Sequence, residues 1–211
     1  MIGRTDYHNV AGTRCATDFV ELPSILMEHF IQSPSVVSLF SSHPTTGRAL
    51  PPEILASVLA ERQQFSALET STQIMMAAVD QSYHSPLALS PAFSTTSILR
   101  DAHSKYNVIP HAEGTALQTQ FGHFFGYGAT YYSYLFDRAI AARIFGGQFA
   151  KDPLSRDAGE KFKRDVLRWG GGKEPWEMVG DAVGSDVVSR GGREAMEEVG
   201  KWGIEECAKG S

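Results

Sequence analysis

Apolar positions recur at helical spacing along most of this chain, and almost nowhere do they alternate as a half-buried strand requires. After Pro51, Pro52 and Glu53, a helix-start signal, Ile54, Leu55, Val58, Leu59 and Phe65 predict a helix with one buried stripe. A second apolar set (Ile74, Met75, Ala78, Val79) runs to about Tyr83, and Pro86 and Pro91 end the pattern. Further helices are predicted from about Ser94 to Lys105 and, long and buried, from Ala129 to Phe149. A capped amphipathic pattern from Ser155 to Trp169 stops at Gly170, Gly171 and Gly172, and Pro175 to Val183 makes one more short helix. Thr17 to Gln32 is predicted helical, with Asp18 and Glu21 at capping-box spacing; Pro23 in the second turn argues for a later start. Residues 1–16 are expected as loop, and no internal repeat is visible. The expected class is mostly α, with a packed part over residues 1–184 and a poorly packed helical or disordered tail over 185–211.

Composition narrows the function classes. A chain of 211 residues, 42% hydrophobic and 20% charged, is long enough to bury one sizeable core. Its net charge of −5 and lack of basic patches with interleaved aromatics argue against a nucleic-acid partner. No apolar run approaches the length of a membrane span, so no membrane role is expected. Cys15 and Cys207 lie near opposite ends, which suits a reducing compartment better than a disulfide framework. The first residues form neither an apolar signal region nor an Arg- and Ser-rich presequence. They are expected to be the interior of a domain, with a mitochondrial targeting segment absent from this chain.

Taken singly, the chemistry-bearing residues have ordinary explanations. Glu21 suits a helix cap or a surface carboxylate, and Asp18 suits capping. Tyr127, Tyr131, Tyr132 and Tyr134 suit core or surface aromatics, and His123 a satisfied histidine. His103 and His111 stand eight apart across a Pro-containing loop, which is no familiar metal spacing. The triple glycine lacks the Lys-Ser/Thr of a phosphate-binding loop and follows a helix, so helix termination is expected. Arg193, Glu194, Glu197, Glu198 and Lys201 make a solvated helix face.

Two segments change this picture. GTRCATDFVELPSILMEHF at residues 12–30 resembles the stretch that follows the zinc helix in thimet-type oligopeptidases, and its wording is similar to the mitochondrial intermediate peptidases within that family. FGHFFGYGATYYSYLFDRAIA at 121–141 resembles the family's substrate-binding loop and the helix after it. YNVIPHAEGTALQTQFGH and the GGGKEP turn at Gly170–Pro175 also match, so the resemblance covers roughly residues 1–184. It implies the C-terminal helical part of a zincin-type catalytic domain. It also implies zinc-assisted peptide hydrolysis and, for the intermediate peptidases, removal of an N-terminal octapeptide from imported precursors in the mitochondrial matrix. On the same resemblance Glu21 matches the downstream zinc ligand and Tyr134 the tyrosine that hydrogen-bonds the oxyanion. His123 and Tyr127 match contacts to the substrate backbone, with Gly126 and Gly128 giving the loop its mobility.

The chain departs from the family pattern at one point: no H-E-x-x-H occurs in its 211 residues. That motif brings two zinc ligands and the general base, and one carboxylate does not hold zinc usefully. The expectation is therefore a peptidase by descent whose zinc belongs to the complete enzyme. By itself the chain is expected to be a catalytically silent fragment or a peptide-binding remnant. Its expected partners are a peptide or precursor protein and the missing N-terminal half. Helix faces that would pack on that half are expected to be exposed.

Overall fold

A computed structural model describes residues 2–202. It is built of helices, and among the described residues the nearest approach to a sheet is one antiparallel bridge between Ser42 and Ala49. The helices are α1 (Leu22–Ile31), α2 (Pro34–Phe40), α3 (Pro52–Gln64), α4 (Ser66–Tyr83), α5 (Thr95–Tyr106), α6 (His123–Gly126), α7 (Ser133–Ile144), α8 (Arg156–Phe162), α9 (Pro175–Val183), α10 (Asp186–Ser189) and α11 (Gly192–Val199). They fall into two compact units, one of residues 1–59 with 136–211 and the other of residues 60–135.

In the first unit, α1 begins at Leu22, because residues 17–21 form turns and Pro23 then sits in the first turn, where its missing N–H costs nothing. The capping box expected of Asp18 and Glu21 is not formed. Glu21 instead occupies the N-cap with helical dihedrals and makes no side-chain cap; Ser24 Oγ donates to its Oε2 at 2.8 Å. Leu22, Ile25 and Leu26 turn inward, and the Phe30 ring meets Phe145 and Phe149 edge-on at 5.3 and 5.1 Å. The long helix expected from Ala129 starts only at Ser133, after a loop, and passes into a π turn at Phe145–Phe149. The helix capped by Ser155, whose Oγ accepts from Ala158 N–H at 3.3 Å, does the same at Lys163–Leu167.

The three glycines that follow do more than stop a helix. Gly170 has φ +52°, and a Cβ on Gly170 or Gly171 would lie well under 3 Å from backbone atoms of residues 10–14. Only bare backbone fits, which lets Gly171 N–H donate to Val10 O at 2.7 Å while Arg4 N–H donates to Arg168 O at 2.8 Å.

The expected poorly packed tail is corrected over its first part. Ser185 caps α10 through Val188 N–H, Val188 and Ala195 are completely buried, and Val199 is nearly so. Gly180, on α9, and Gly191 have no room for a Cβ, which allows close packing against Ser189 and Trp176. The remainder of that tail, with Cys207, lies outside the described residues.

The stripe predicted on α3 is also corrected. Only Leu55 is buried, whereas Ile54 and Val58 are 50% and 43% exposed and Phe65, just beyond, is 65% exposed. Periodicity marks an apolar face, but burial needs an opposing element, and no described element covers this one.

In the second unit α4 packs on α5. Met75, Met76, Val79 and Leu99 form a core with Phe124 and Tyr131. Ser71 Oγ donates to Tyr106 O at 2.6 Å, and Tyr83 Oη donates to Thr95 O at 2.7 Å. Burial pushes the Tyr83 phenol up to about 12. This core is the seat on which the loop between α6 and α7 rests.

Candidate functional site

The second unit brings together the aromatic residues singled out from the sequence. His123 opens α6, Tyr127 follows its last turn and Tyr134 is the second residue of α7. The His123 ring lies 5.6 Å from Tyr127, 5.6 Å from Tyr131 and 5.9 Å from Tyr134, and the two outer tyrosines are 5.9 Å apart. Phe121 stacks on the other side of the imidazole at 4.8 Å. His123, Tyr127 and Tyr134 are half-buried, while Tyr131 is buried and donates to Gln73 Oε1 at 3.1 Å. Tyr131 is thus a core anchor, and the other three lie half-buried in one aromatic cluster with it.

The two glycines beside Tyr127 differ from expectation. Neither has a positive φ; the loop's left-handed residue is Ala129, at φ 62°. A Cβ on Gly126 would meet nothing within 4 Å, whereas one on Gly128 would come within 2.6 Å of His84 Nε2. Gly128 is required by a close approach to the His84 ring.

That approach reveals residues the sequence reading passed over. Asp80 is completely buried on α4. Its Oδ1 accepts from Ala129 N–H at 3.0 Å and its Oδ2 from Tyr131 N–H at 3.0 Å, while His84 Nδ1 lies 3.0 Å from Oδ1. Gln81 Nε2 donates to Ala129 O at 2.8 Å. The signal in the sequence was a carboxylate and an imidazole four apart at the C-terminal end of an apolar run.

Glu21 is half-buried in the first unit, with Asp18 and Asp137 as acidic neighbours. Asp137, on α7, is the counterexample to Asp80. It too is completely buried, yet neither of its oxygens meets a partner in good hydrogen-bond geometry. Burial first, then the charges of Asp18 and Glu21, push its carboxyl up to about 8; the nearby backbone of Glu21 offsets this only slightly. A protonated Asp137 is the physical answer to three carboxylates in one place. Its only signal in the sequence was an acid in the apolar run after Tyr134.

The same neighbourhood tests the implied metal. Zinc asks for three protein ligands and an open position. Among the described residues no group of three or more His, Cys, Asp or Glu side chains is arranged to hold a metal ion. Cys15 does not help: burial raises its thiol and disfavours the thiolate that binds metal. The described residues therefore do not fit a zinc centre on their own.

Comparison with known proteins agrees with the mostly-α fold class. A mitochondrial intermediate peptidase of Malassezia globosa is 55% identical over 204 residues, with 97% of this chain and 25% of that protein covered. One from Coprinopsis cinerea is 54% identical, covering 98% of this chain and 26% of its own length. One from Mycosarcoma maydis is 52% identical, with 97% and 24% covered. The chain thus spans about a quarter of the length of the curated relatives it matches. Residues 1–198 match the profile described as Peptidase family M3, and the chain belongs to that family.

Proposed function

We propose that this chain supplies the substrate-contacting loop and one metal ligand of a mitochondrial zinc metalloendopeptidase, which as a complete protein trims N-terminal octapeptides from imported precursors. The observation that carries this reading is the half-buried cluster of His123, Tyr127 and Tyr134, together with the family membership. Tyr134 donates its phenolic hydrogen to the oxyanion of the tetrahedral intermediate. A neutral donor stabilises that charge without binding the ground-state carbonyl equally well. His123 and Tyr127 hold the substrate backbone near the scissile bond, and the residues around Gly126 and Gly128 shape the approach. Glu21 would provide one carboxylate to a metal held with ligands from the complete protein, and the chemistry supplied there would be Lewis-acid polarisation and water activation.

By itself the chain neither holds zinc nor cleaves peptides, since the H-E-x-x-H histidines and glutamate are not in its 211 residues. The test has two arms. Zinc content and hydrolysis of a quenched fluorescent peptide, with and without chelator, address catalysis; neither metal nor cleavage is expected. Stoichiometric zinc with chelator-sensitive cleavage would mean another ligand set and overturn the silent reading. Fluorescence anisotropy with a labelled presequence peptide addresses binding. Tyr127→Ala is expected to weaken it by about tenfold, as loss of one or two good contacts does, whereas Tyr134→Phe, which loses an oxyanion donor, is expected to leave it near wild type. No peptide binding, or an affinity unmoved in Tyr127→Ala, would overturn the substrate role of the cluster.

A further inference from the structure

We infer that Asp80, with His84, is the positioning residue of this site: a clamp on α4 that sets the register of the loop carrying Tyr127 against Tyr134. The inference rests on the proposed substrate role of that cluster. Its support is the way residues 127–131 are held. Ala129 stands at φ 62°, a conformation that L-residues with a Cβ avoid and that persists only where surroundings impose it. Asp80 Oδ1 takes its N–H, Gln81 its carbonyl, and Asp80 Oδ2 the N–H of Tyr131, so both peptide groups of Ala129 are tied to one turn of helix.

The imidazole completes the clamp. His84 Nδ1 faces two acceptors, Asp80 Oδ1 at 3.0 Å and Asp80 O at 2.9 Å, so Nδ1 carries the proton. The ring is thereby fixed with Nε2 against the backbone of Gly128, where no Cβ has room. A carboxylate with three donors is costly to bury for structure alone, whereas a loop that must present Tyr127 in one place gains from it. The clamp touches no substrate itself; it acts through the residues it orients.

The experiment measures amide exchange at Ala129 and Tyr131, affinity for a labelled presequence peptide, and Tm, in the full chain. Asp80→Asn leaves one of the two amides facing an NH2 group. It is expected to speed exchange at both by about tenfold and weaken peptide binding by a similar factor. Gly128→Ala is expected to do the same, because the new methyl meets His84 Nε2. Adding His84→Ala removes that obstacle together with one arm of the clamp, so exchange and affinity are expected to recover only part of the way to wild type. Ser94→Ala, which removes only the cap of α5, is the control: it lowers Tm with affinity retained. Unchanged exchange at Ala129 and Tyr131 in Asp80→Asn overturns the clamp, and affinities that merely track Tm across all variants overturn its positioning role. Where Asp80→Asn does not fold, Gly128→Ala and its His84→Ala double decide between these outcomes. A wild-type chain that binds no peptide sinks the proposed function, and the exchange measurements still judge the clamp.

Discussion

Replacing Asp137 by Asn is expected to stabilise the first unit at neutral and alkaline pH. Asp137 has no exposed surface, and its carboxyl is pushed from 3.8 to about 8, a displacement of about 4 pH units. At 1.36 kcal/mol per unit the ceiling is on the order of 5 kcal/mol; local relaxation and a higher effective dielectric reduce this to about 2–3 kcal/mol. The sign follows from linkage. The folded pKa is raised, so below about pH 4 both states are protonated and Asp137 costs nothing. As pH rises from 4 towards 8 the unfolded carboxyl ionises while the folded one resists, and stability is lost across that window. Asn keeps the shape, removes the charge and places an amide donor among the carboxylates of Asp18 and Glu21. Urea denaturation followed by circular dichroism at pH 5 and pH 8 measures the effect. The wild type is expected to lose stability between the two, and the variant to lose about 2 kcal/mol less. Equal losses in both proteins, or a variant less stable than wild type at pH 8, would refute the protonated, partnerless carboxyl.

Gly171→Ala forces a methyl into the backbone of Arg14 and is expected to lower stability by about 1–3 kcal/mol in the same assay. Ser185→Ala removes the acceptor of Val188 N–H at the start of α10 and is expected to cost about 1 kcal/mol, less if water replaces it. Val58→Ser, on the exposed face of α3, is expected to change Tm by the equivalent of no more than about 0.5 kcal/mol. A large loss there would mean that something covers the face in solution, and sedimentation would identify self-association.

Much of the helix map was legible because local rules and tertiary structure agree. Ser94, Pro175 and Gly184 punctuate α5 and α9 as capping chemistry requires, and those helices begin and end within a residue of expectation. Where agreement fails, a nonlocal partner decides. Gly191 carries no local signal of its role, which is to admit the Trp176 ring where a Cβ would not fit. Asp18 and Glu21 have the spacing of a cap, yet Pro23 moves the helix start past them. The aromatic cluster was legible only through resemblance, since no local rule selects Tyr134 from four neighbouring tyrosines. Asp80 and His84 were passed over, because nothing local announces that Ala129 is left-handed and needs holding. Asp137 was hidden for the opposite reason: its significance lies in partners it lacks.

The glycine seat at Gly170–Gly171 also has a bearing on biosynthesis. It ties Val10 to Gly171, 161 positions later, through main-chain atoms alone. Contacts so distant in sequence carry a large loop-closure cost and form late. Synthesis must therefore run on past Gly171 before Val10 has this seat to dock on. At about 5–20 residues per second, that leaves residues 4–14 without it for roughly ten seconds or more. Proteases and chaperones are expected to reach this segment in the nascent chain, although Arg4 and Val10 are held at backbone level in the finished fold.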